Sequence, residues 1–362
     1  MLKIYSPSGS EEELANFLHE HMASRGFKVR KDNVGNVIGE LGREGPRILL
    51  CGHMDTVPGE LPVRLEGDRL YGRGSVDAKA SLAAMIAGSS LAMKRNPPIQ
   101  VTVAGVVEEE TSSIGAKAIM ASGNSYDLAV FGEPSGAPNI IIGYKGSLRL
   151  QVTFSTNGGH SASPWLSKNS YEEAFTYWKA FKHSLIDNES PSKFSTPTGC
   201  VTSAVAGNAT NSIPSQASLV IDVRFPHNIK AADMINKIRT FTDHYHKSHD
   251  DVHVAVKVND QTEAVLGRND SVAVRAFRWA IRKTMKCQIT LVKKTGTSDM
   301  NLFAQSYSIP MIAYGPGDSS LDHTQNENVS IPEYLHSVEV YANAIEHVAS
   351  LTRNAAHDPR EA

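Results

Sequence analysis

Short buried strands and amphipathic helices alternate along the first part of the chain. Apolar, largely β-branched runs predict strands at residues 47–52, 99–107 and 126–131. Apolar residues at helical spacing predict helices at 10–26 and 81–94. Ser10 and Glu13 predict a capping box at the start of the first helix. This alternation is typical of an α/β fold with a mixed, largely parallel sheet and helices on both of its faces.

The hydrophobic pattern changes at residue 147. Strict alternation of apolar and polar positions predicts half-exposed strands at 147–156, 217–225 and 252–258. Two long amphipathic helices are predicted at 170–187 and 231–246. We interpret residues 147–260 as an inserted α+β sandwich domain. The first pattern then resumes, which predicts that residues 1–146 and 261–362 form one discontinuous domain.

Composition excludes several classes of protein. A length of 362 residues favours two domains, and a net charge of −2 provides no global field for binding nucleic acid or membranes. No apolar run reaches the roughly 20 residues that span a bilayer, and residues 1–25 do not resemble a secretion signal. Three widely spaced cysteines without a CxxC motif are typical of a reducing cytoplasm.

Several acids and two histidines lie at or near predicted strand ends: His53, Asp55, Asp77, Glu108, Glu109, Glu110, Glu133 and His323. Taken singly, each has an ordinary explanation. His53 could be a structural histidine beside Asp55, Asp77 a helix N-cap, and the three glutamates a solvated turn. Because open α/β sheets bind ligands at the carboxyl ends of their strands, the shared location favours one site.

Two imidazoles and three carboxylates suit zinc or a similar divalent ion. Five ligands exceed one tetrahedral site, but they fit two ions about 3.5–4 Å apart with a bridging carboxylate. Asp55, two residues after His53, can orient its imidazole. The neighbours Glu109 and Glu110 could divide the tasks of general base and ligand.

These motifs resemble the dinuclear-zinc amidohydrolases of the ArgE/DapE/carboxypeptidase-G type over almost the whole chain. The matching stretches are His53–Pro58, Gly72–Asp77, Glu108–Gly115, Gly132–Ser135 and the late His323. The resemblance implies that Asp77 bridges two ions, with His53 and Glu133 on one ion and Glu110 and His323 on the other. It also implies Glu109 as the general base and Asp55 as the partner of His53.

The resemblance further implies that the inserted domain is a lid through which a homodimer forms. His160 then reaches the active site of the partner and stabilises the oxyanion, although by itself it would be a surface turn residue. Two positions depart from the usual pattern, since Glu108 replaces an aspartate and Ala80 a glycine. By the same analogy, the Asp77–Ala78 bond is a candidate cis peptide.

Within the family, Pro62–Arg64, Leu70–Gly74 and Gly143–Gly146 look most like the LysK-type hydrolases of amino-group carrier proteins. This branch implies release of lysine or ornithine from the γ-carboxyl of the C-terminal glutamate of LysW, an acidic carrier, in lysine or arginine biosynthesis. The implied cofactors are two divalent ions, zinc or cobalt. The positions that resemble substrate contacts are Asn211, Arg224, Thr297 and Ser298.

Other interpretations remain open at this point. A deacylase for acetylornithine or succinyl-diaminopimelate, or a dipeptidase, would use the same ligands. A non-catalytic binding homologue would have lost the base or a ligand, and neither is lost here. An acidic carrier needs a basic surface, for which the helix after Asp270 offers Arg275, Arg278, Arg282 and Lys286. A solvated helix face is the more ordinary explanation of that stripe.

Overall fold

The computed structural model describes residues 1–186, 192–207 and 209–357. It divides into two compact units, the first formed by 1–143, 267–293 and 298–362 and the second by 144–266 and 294–297. The sequence had placed the boundaries at 147 and 260. Thr297 therefore belongs to the second unit and Ser298 to the first. Among the described residues, no helix is long and apolar enough to cross a membrane.

The first unit begins with three helices and eight strands. The helices are α1 (Glu12–Ser24), α2 (Lys79–Met93) and α3 (Ile114–Ala121). The strands are β1 (Lys28–Lys31), β2 (Val37–Leu41), β3 (Arg47–His53), β4 (Arg64–Glu66), β5 (Arg69–Tyr71), β6 (Gln100–Val106), β7 (Leu128–Phe131) and β8 (Asn139–Tyr144).

The second unit contains a four-stranded antiparallel sheet. The strands of this part of the chain, of which four form that sheet, are β9 (Gly146–Ser155), β10 (Gly159–His160), β11 (Thr198–Ala206), β12 (Ser212–Ile213), β13 (Gln216–Phe225), β14 (His253–Thr262) and β15 (Val265–Leu266). The sheet order is β11-β13-β9-β14. The helices α4 (Ser170–Phe181) and α5 (Ala231–Lys247) share a core with the inward residues of β9 and β13, as expected for an α+β sandwich. The helix predicted at 170–187 corresponds to α4, and its predicted end at Asp187 lies outside the described residues.

The chain then completes the first unit. The remaining elements are α6 (Val272–Met285), β16 (Thr290–Lys294), α7 (Asp299–Ser306), β17 (Met311–Ala313), β18 (Asn328–Ser330) and α8 (Ile331–His357). The main sheet runs β1-β2-β6-β3-β7-β17-β8. Strands β6, β3, β7 and β17 are parallel neighbours, whereas β1, β2 and β8 pair antiparallel. The predicted α/β class with a mixed, largely parallel sheet is confirmed.

The two helix starts nearest the predicted site differ from the prediction. Helix α1 is preceded by Glu11 without a side-chain cap, so the capping box of Ser10 and Glu13 is wrong. The side chain of Glu11 is used elsewhere, because it accepts the backbone N–H of Glu108 at 3.0 Å. Helix α2 begins at Lys79 with Ala78 as its N-cap, so Asp77 does not cap it. The Asp77–Ala78 bond is cis, as predicted.

Candidate metal centre

Three adjacent parallel strands end at the site. Strand β3 ends in His53, and β6 and β7, its neighbours on either side, lead into Glu109–Glu110 and Glu133. The backbone N–H of Gly132 donates to the carbonyl of Cys51 at 2.7 Å, which holds the exit of β7 against the end of β3. The parallel register therefore collects the imidazole and the carboxylates at one sheet edge.

His53 is oriented by its own strand end. The imidazole is 2% exposed, and its Nδ1 lies 3.0 Å from the backbone oxygen of Asp55 and 3.5 Å from Oδ1 of the same residue. Nδ1 therefore carries the hydrogen that faces Asp55, and Nε2 is directed at Asp77. The predicted partnership of His53 and Asp55 exists, but the closer contact uses the backbone carbonyl.

Asp77 is shared between two imidazoles. Its Oδ1 lies 3.1 Å from Nε2 of His53, and its Oδ2 lies 3.1 Å from Nε2 of His323. Nε2 of His323 is also 3.0 Å from Oε1 of Glu110. Each oxygen of one carboxylate thus faces a different histidine, which is the arrangement that a bridging ligand requires.

Two ligand groups can be drawn from these residues. In each of His53–Asp77–Glu133 and Asp77–Glu110–His323, the potential ligand atoms lie within 4.8 Å of one another. Two atoms bound to one tetrahedral zinc ion at about 2.0–2.1 Å lie roughly 3.3 Å apart, close to the 3.1 Å between Asp77 and each imidazole. The mixture of nitrogen and oxygen donors also suits zinc or cobalt. The residues present therefore fit two divalent ions that share Asp77.

The charges of the site favour a bound cation. Burial by itself lowers the pKa of His53, but hydrogen bonds to Asp55 and Asp77 outweigh it, and the pKa lies well above the usual value. Hydrogen bonds to Asp77 and Glu110 raise the pKa of His323 to about 10. Burial would raise the pKa of Asp77, yet the two histidines hold it below its usual range. In the absence of metal, the raised pKa values of the two histidines favour protonated imidazoles, whose positive charge the neighbouring carboxylates attract.

Glu109 lies in the turn after β6 beside these groups. Burial raises the pKa of Glu109 well above its usual value; His53 opposes this increase, and Glu133, Asp299 and Glu110 add to it. Glu108, which begins the turn, has a left-handed backbone with φ of 55°. Aspartate adopts that backbone conformation more readily than glutamate. The side chain of Glu108 accepts a hydrogen bond of 2.6 Å from the hydroxyl of Ser112.

The remaining predicted residues lie in the second unit, apart from Ser298. His160 is exposed on β10, which pairs with β12, and the neighbouring N–H of Ser161 donates to the carbonyl of the exposed Asn211 at 3.1 Å. Arg224 forms a bidentate pair with Asp222 at 2.6 and 2.9 Å and donates to Oγ1 of Thr297 at 3.2 Å.

Ser298 has a structural task. It is 6% exposed and is the N-cap of α7, where its hydroxyl accepts the N–H of Met300. Asp299, the next residue, was not among the residues predicted from the sequence. It is 4% exposed, and burial raises its pKa to about 7. No local pattern distinguishes a buried acid of this kind from a solvated one.

Comparisons with known proteins identify the family and the fold. The sequence model of the family described as Peptidase family M20/M25/M40 matches residues 49–347 of this chain. A relative from Deinococcus radiodurans, named LysW-lysine hydrolase, is 34% identical, over 95% of this chain and 94% of that protein. A relative from Saccharolobus solfataricus, named LysW-lysine/LysW-ornithine hydrolase, is 32% identical, over 96% and 93%. In fold, a tripeptidase from Staphylococcus aureus matches with a TM-score of 0.82 at 19% identity, covering 96% of each chain.

Proposed function

The chain belongs to peptidase family M20/M25/M40, and from this premise we propose that it hydrolyses the amide bond that joins lysine or ornithine to the carrier protein LysW. It is a metal-dependent amide hydrolase of lysine and arginine biosynthesis, acting in the cytoplasm. The observation that carries the proposal is the carboxylate of Asp77, whose two oxygens each face a different histidine at 3.1 Å.

His53, Asp77 and Glu133 would hold one divalent ion, and Asp77, Glu110 and His323 the other. When bound, such ions polarise an amide carbonyl and lower the pKa of a bound water. Zinc and cobalt both suit the donor set. Asp55 orients one of these ligands, because its backbone carbonyl faces Nδ1 of His53 and so fixes the tautomer of that imidazole.

Glu109 is the general base in this mechanism. Its half-buried carboxylate takes a proton from the attacking water and passes it to the nitrogen of the departing amine. Burial and three neighbouring carboxyl groups make the group more basic than an exposed glutamate. That basicity matches the task, because the proton must be accepted near neutral pH and then released.

His160 donates a hydrogen bond to the oxyanion in the active site of a partner subunit. Support for a homodimer comes from the second unit, where β11 is the edge strand of its sheet. Large apolar side chains on this unit are exposed, namely those of Trp165, Leu166, Tyr171, Phe175 and Val205. An exposed edge with apolar side chains is the kind of surface that pairs with another chain.

Arg224 binds the carboxylate of the released amino acid, together with Thr297 and Asn211. A guanidinium grips a carboxylate through two parallel hydrogen bonds, and Arg224 already holds Asp222 in that manner while contacting Thr297. The carrier itself is predicted to be acidic. The exposed residues Arg275 and Arg282 of α6, with Lys286 directly after the helix, provide a basic face on which such a protein can dock.

A substrate comparison tests the proposal. Metal-loaded enzyme is offered LysW with γ-linked lysine, LysW with γ-linked ornithine, and free acetylornithine, and the released amino acid is quantified. We expect release from one or both carriers and little from acetylornithine, and the ratio of lysine to ornithine identifies the pathway served. Efficient cleavage of acetylornithine with no action on the carriers would replace the substrate assignment with that of a small-molecule deacylase.

A further inference from the structure

A buried carboxylate outside the two ligand groups binds the backbone that carries Asp77. Glu327 is 1% exposed. Its Oε1 accepts the N–H of Val76 at 3.0 Å and the N–H of Asp77 at 3.1 Å. Two consecutive amides are thus fixed on one oxygen, and the position from which the Asp77 side chain departs is fixed with them.

Arg73 holds the other oxygen of this carboxylate. Its Nη1 lies 2.8 Å from Oε2 of Glu327, and the guanidinium is 4% exposed. The same side chain donates from Nε to the carbonyl of Gly59 at 2.9 Å and from Nη1 to that of Thr324 at 3.3 Å. The pair is buried, and each charge is compensated by the other and by hydrogen bonds. Removal of one partner would leave the other as an unpaired buried charge, which destabilises the fold.

This pair joins the segments of two candidate ligands. Glu327 follows His323 by four residues, and its own carbonyl accepts the N–H of Gly72. The segment of His323 and the loop of Asp77 are therefore tied through Glu327 and Arg73, although neither residue belongs to the two candidate ligand groups.

We propose that Glu327, held by Arg73, is a positioning residue that sets Asp77 and His323 at the separation two metal ions require. The inference rests on the proposed metal-dependent function. It assigns the pair a task beyond stability, because groups that orient metal ligands alter metal affinity when they are removed.

Replacement of Glu327 by glutamine tests the inference sharply. Every partner of both carboxylate oxygens is a donor, so the new amide NH2 must face either Arg73 or the two backbone N–H groups. Calorimetric titration of the metal-free protein with zinc measures affinity, and the visible absorption spectrum of the cobalt-substituted protein reports ligand geometry. We expect affinity to fall roughly 10–100-fold and the cobalt bands to shift.

Controls separate positioning from a general loss of charge or fold. Glu346→Gln removes a carboxylate from an ion pair with Arg95 on the surface of the same unit, and it should leave affinity and spectrum unchanged. Glu327→Asp keeps both acceptor oxygens and should recover part of the affinity. If Glu327→Gln does not fold, Arg73→Lys retains the charge but loses the forked donor geometry, and it should weaken zinc binding in the same direction.

The outcomes are distinguishable from failure of the proposed function. If the unaltered protein binds no zinc, the metal-dependent function itself is rejected. If it binds two ions, and folded Glu327→Gln or Arg73→Lys binds them with unchanged affinity and cobalt spectrum, the positioning role is overturned while the function stands. Lower thermal stability with unchanged metal binding would make the pair purely structural and would equally overturn the inference.

Discussion

Asp55 and Glu110 are joined by a hydrogen bond from the backbone N–H of Glu110 to Oδ2 of Asp55, 3.1 Å long. The N–H of Glu109 donates to Oδ1 of the same carboxylate at 3.0 Å, and the hydroxyl of Ser8 to Oδ2 at 2.7 Å. Since His53 also faces this carboxylate, one buried side chain orients an imidazole ligand and fixes the turn that bears the proposed base. The pairing predicted from sequence concerned His53 alone.

Replacing Asp55 by asparagine should therefore disturb more than His53. The new amide NH2 would oppose N–H donors, and the charge facing His53 would be lost. We expect metal affinity to fall roughly 10–100-fold, with a further loss of rate in the metal-saturated enzyme because Glu109 shifts. Metal titration and kcat at saturating metal measure the two effects. Ser8→Ala, which removes one hydrogen bond, should have a smaller effect, and unchanged affinity in Asp55→Asn would contradict the orienting role.

Glu109→Gln should leave both ions in place and slow the reaction. The substitution keeps shape and hydrogen-bonding atoms but cannot accept the proton, so we expect kcat to fall on the order of 10²–10⁴-fold. Elemental analysis of the purified variant should give the metal content of the unaltered enzyme. Normal turnover would remove Glu109 from the mechanism, whereas lost metal would assign it to the ligands instead.

Metal binding should release protons and strengthen as the pH rises. In the metal-free protein the pKa of His323 is raised to about 10, so its imidazole is protonated at pH 7, whereas a ligand imidazole must be neutral. Against the effect of burial, hydrogen bonds to Asp55 and Asp77 raise the pKa of His53 in the same direction. The stability of the metal-free fold depends on pH in the opposite direction. The stability that His323 gains from its proton is complete below the unfolded pKa of about 6.5 and is lost as the pH rises through about 10.

Calorimetric zinc titrations at pH 7 in two buffers of different ionisation enthalpy count the released protons. Release with an apparent affinity that increases toward higher pH is the expected result. Binding that is independent of pH, with no proton released, would show that the imidazoles do not coordinate the ion.

The clustering of the candidate ligands could be predicted in part, because His53, Glu110 and Glu133 lie at or just after strand ends. The apolar run before His53 determines where β3 ends, and parallel pairing with β6 and β7 brings their following residues to the same edge. Asp77 was ambiguous in sequence, since an acid before a helix is commonly a cap. The structure excludes that alternative because Ala78 is the N-cap residue.

The supporting contacts could not be predicted in the same way. Glu327 and Val76 are 251 positions apart in sequence, and no local pattern in either segment reports their hydrogen bond. Serine is a common helix N-cap, but Ser10 lies in a turn in which its N–H donates to the carbonyl of Pro7. Helix α1 begins later, at Glu12. The contact at Glu327 is long-range, whereas at Ser10 one local turn takes the place of the predicted cap.

His160→Ala should lower kcat without altering metal content or dimer formation. Removal of one oxyanion donor typically costs roughly 10²–10³-fold in kcat. Ser161→Ala, at the next exposed position of the same turn, is the matched control and should be unchanged. A normal rate in His160→Ala would end its proposed role.

Mixing the two inactive variants tests whether His160 acts across subunits. Heterodimers of Glu109→Gln and His160→Ala contain one complete active site if His160 serves the partner, so activity should recover on mixing. If each His160 serves its own subunit, both sites of the heterodimer remain defective. Absence of recovery in verified heterodimers would therefore contradict the arrangement in trans.

Charge reversal on α6 should weaken the reaction with the carrier protein only. Arg275 and Arg282 are exposed on this helix, and opposite charges on an approaching protein increase the rate of encounter. With both changed to glutamate, we expect kcat/KM for lysine-loaded LysW to fall roughly tenfold or more at low salt, and less at high salt because the charges are screened. A short peptide with the same γ-linked lysine should be cleaved at the normal rate. Reversal of Lys237 and Arg239, exposed on α5, is the control, and equal losses in the two double variants would mean that α6 is not the docking face.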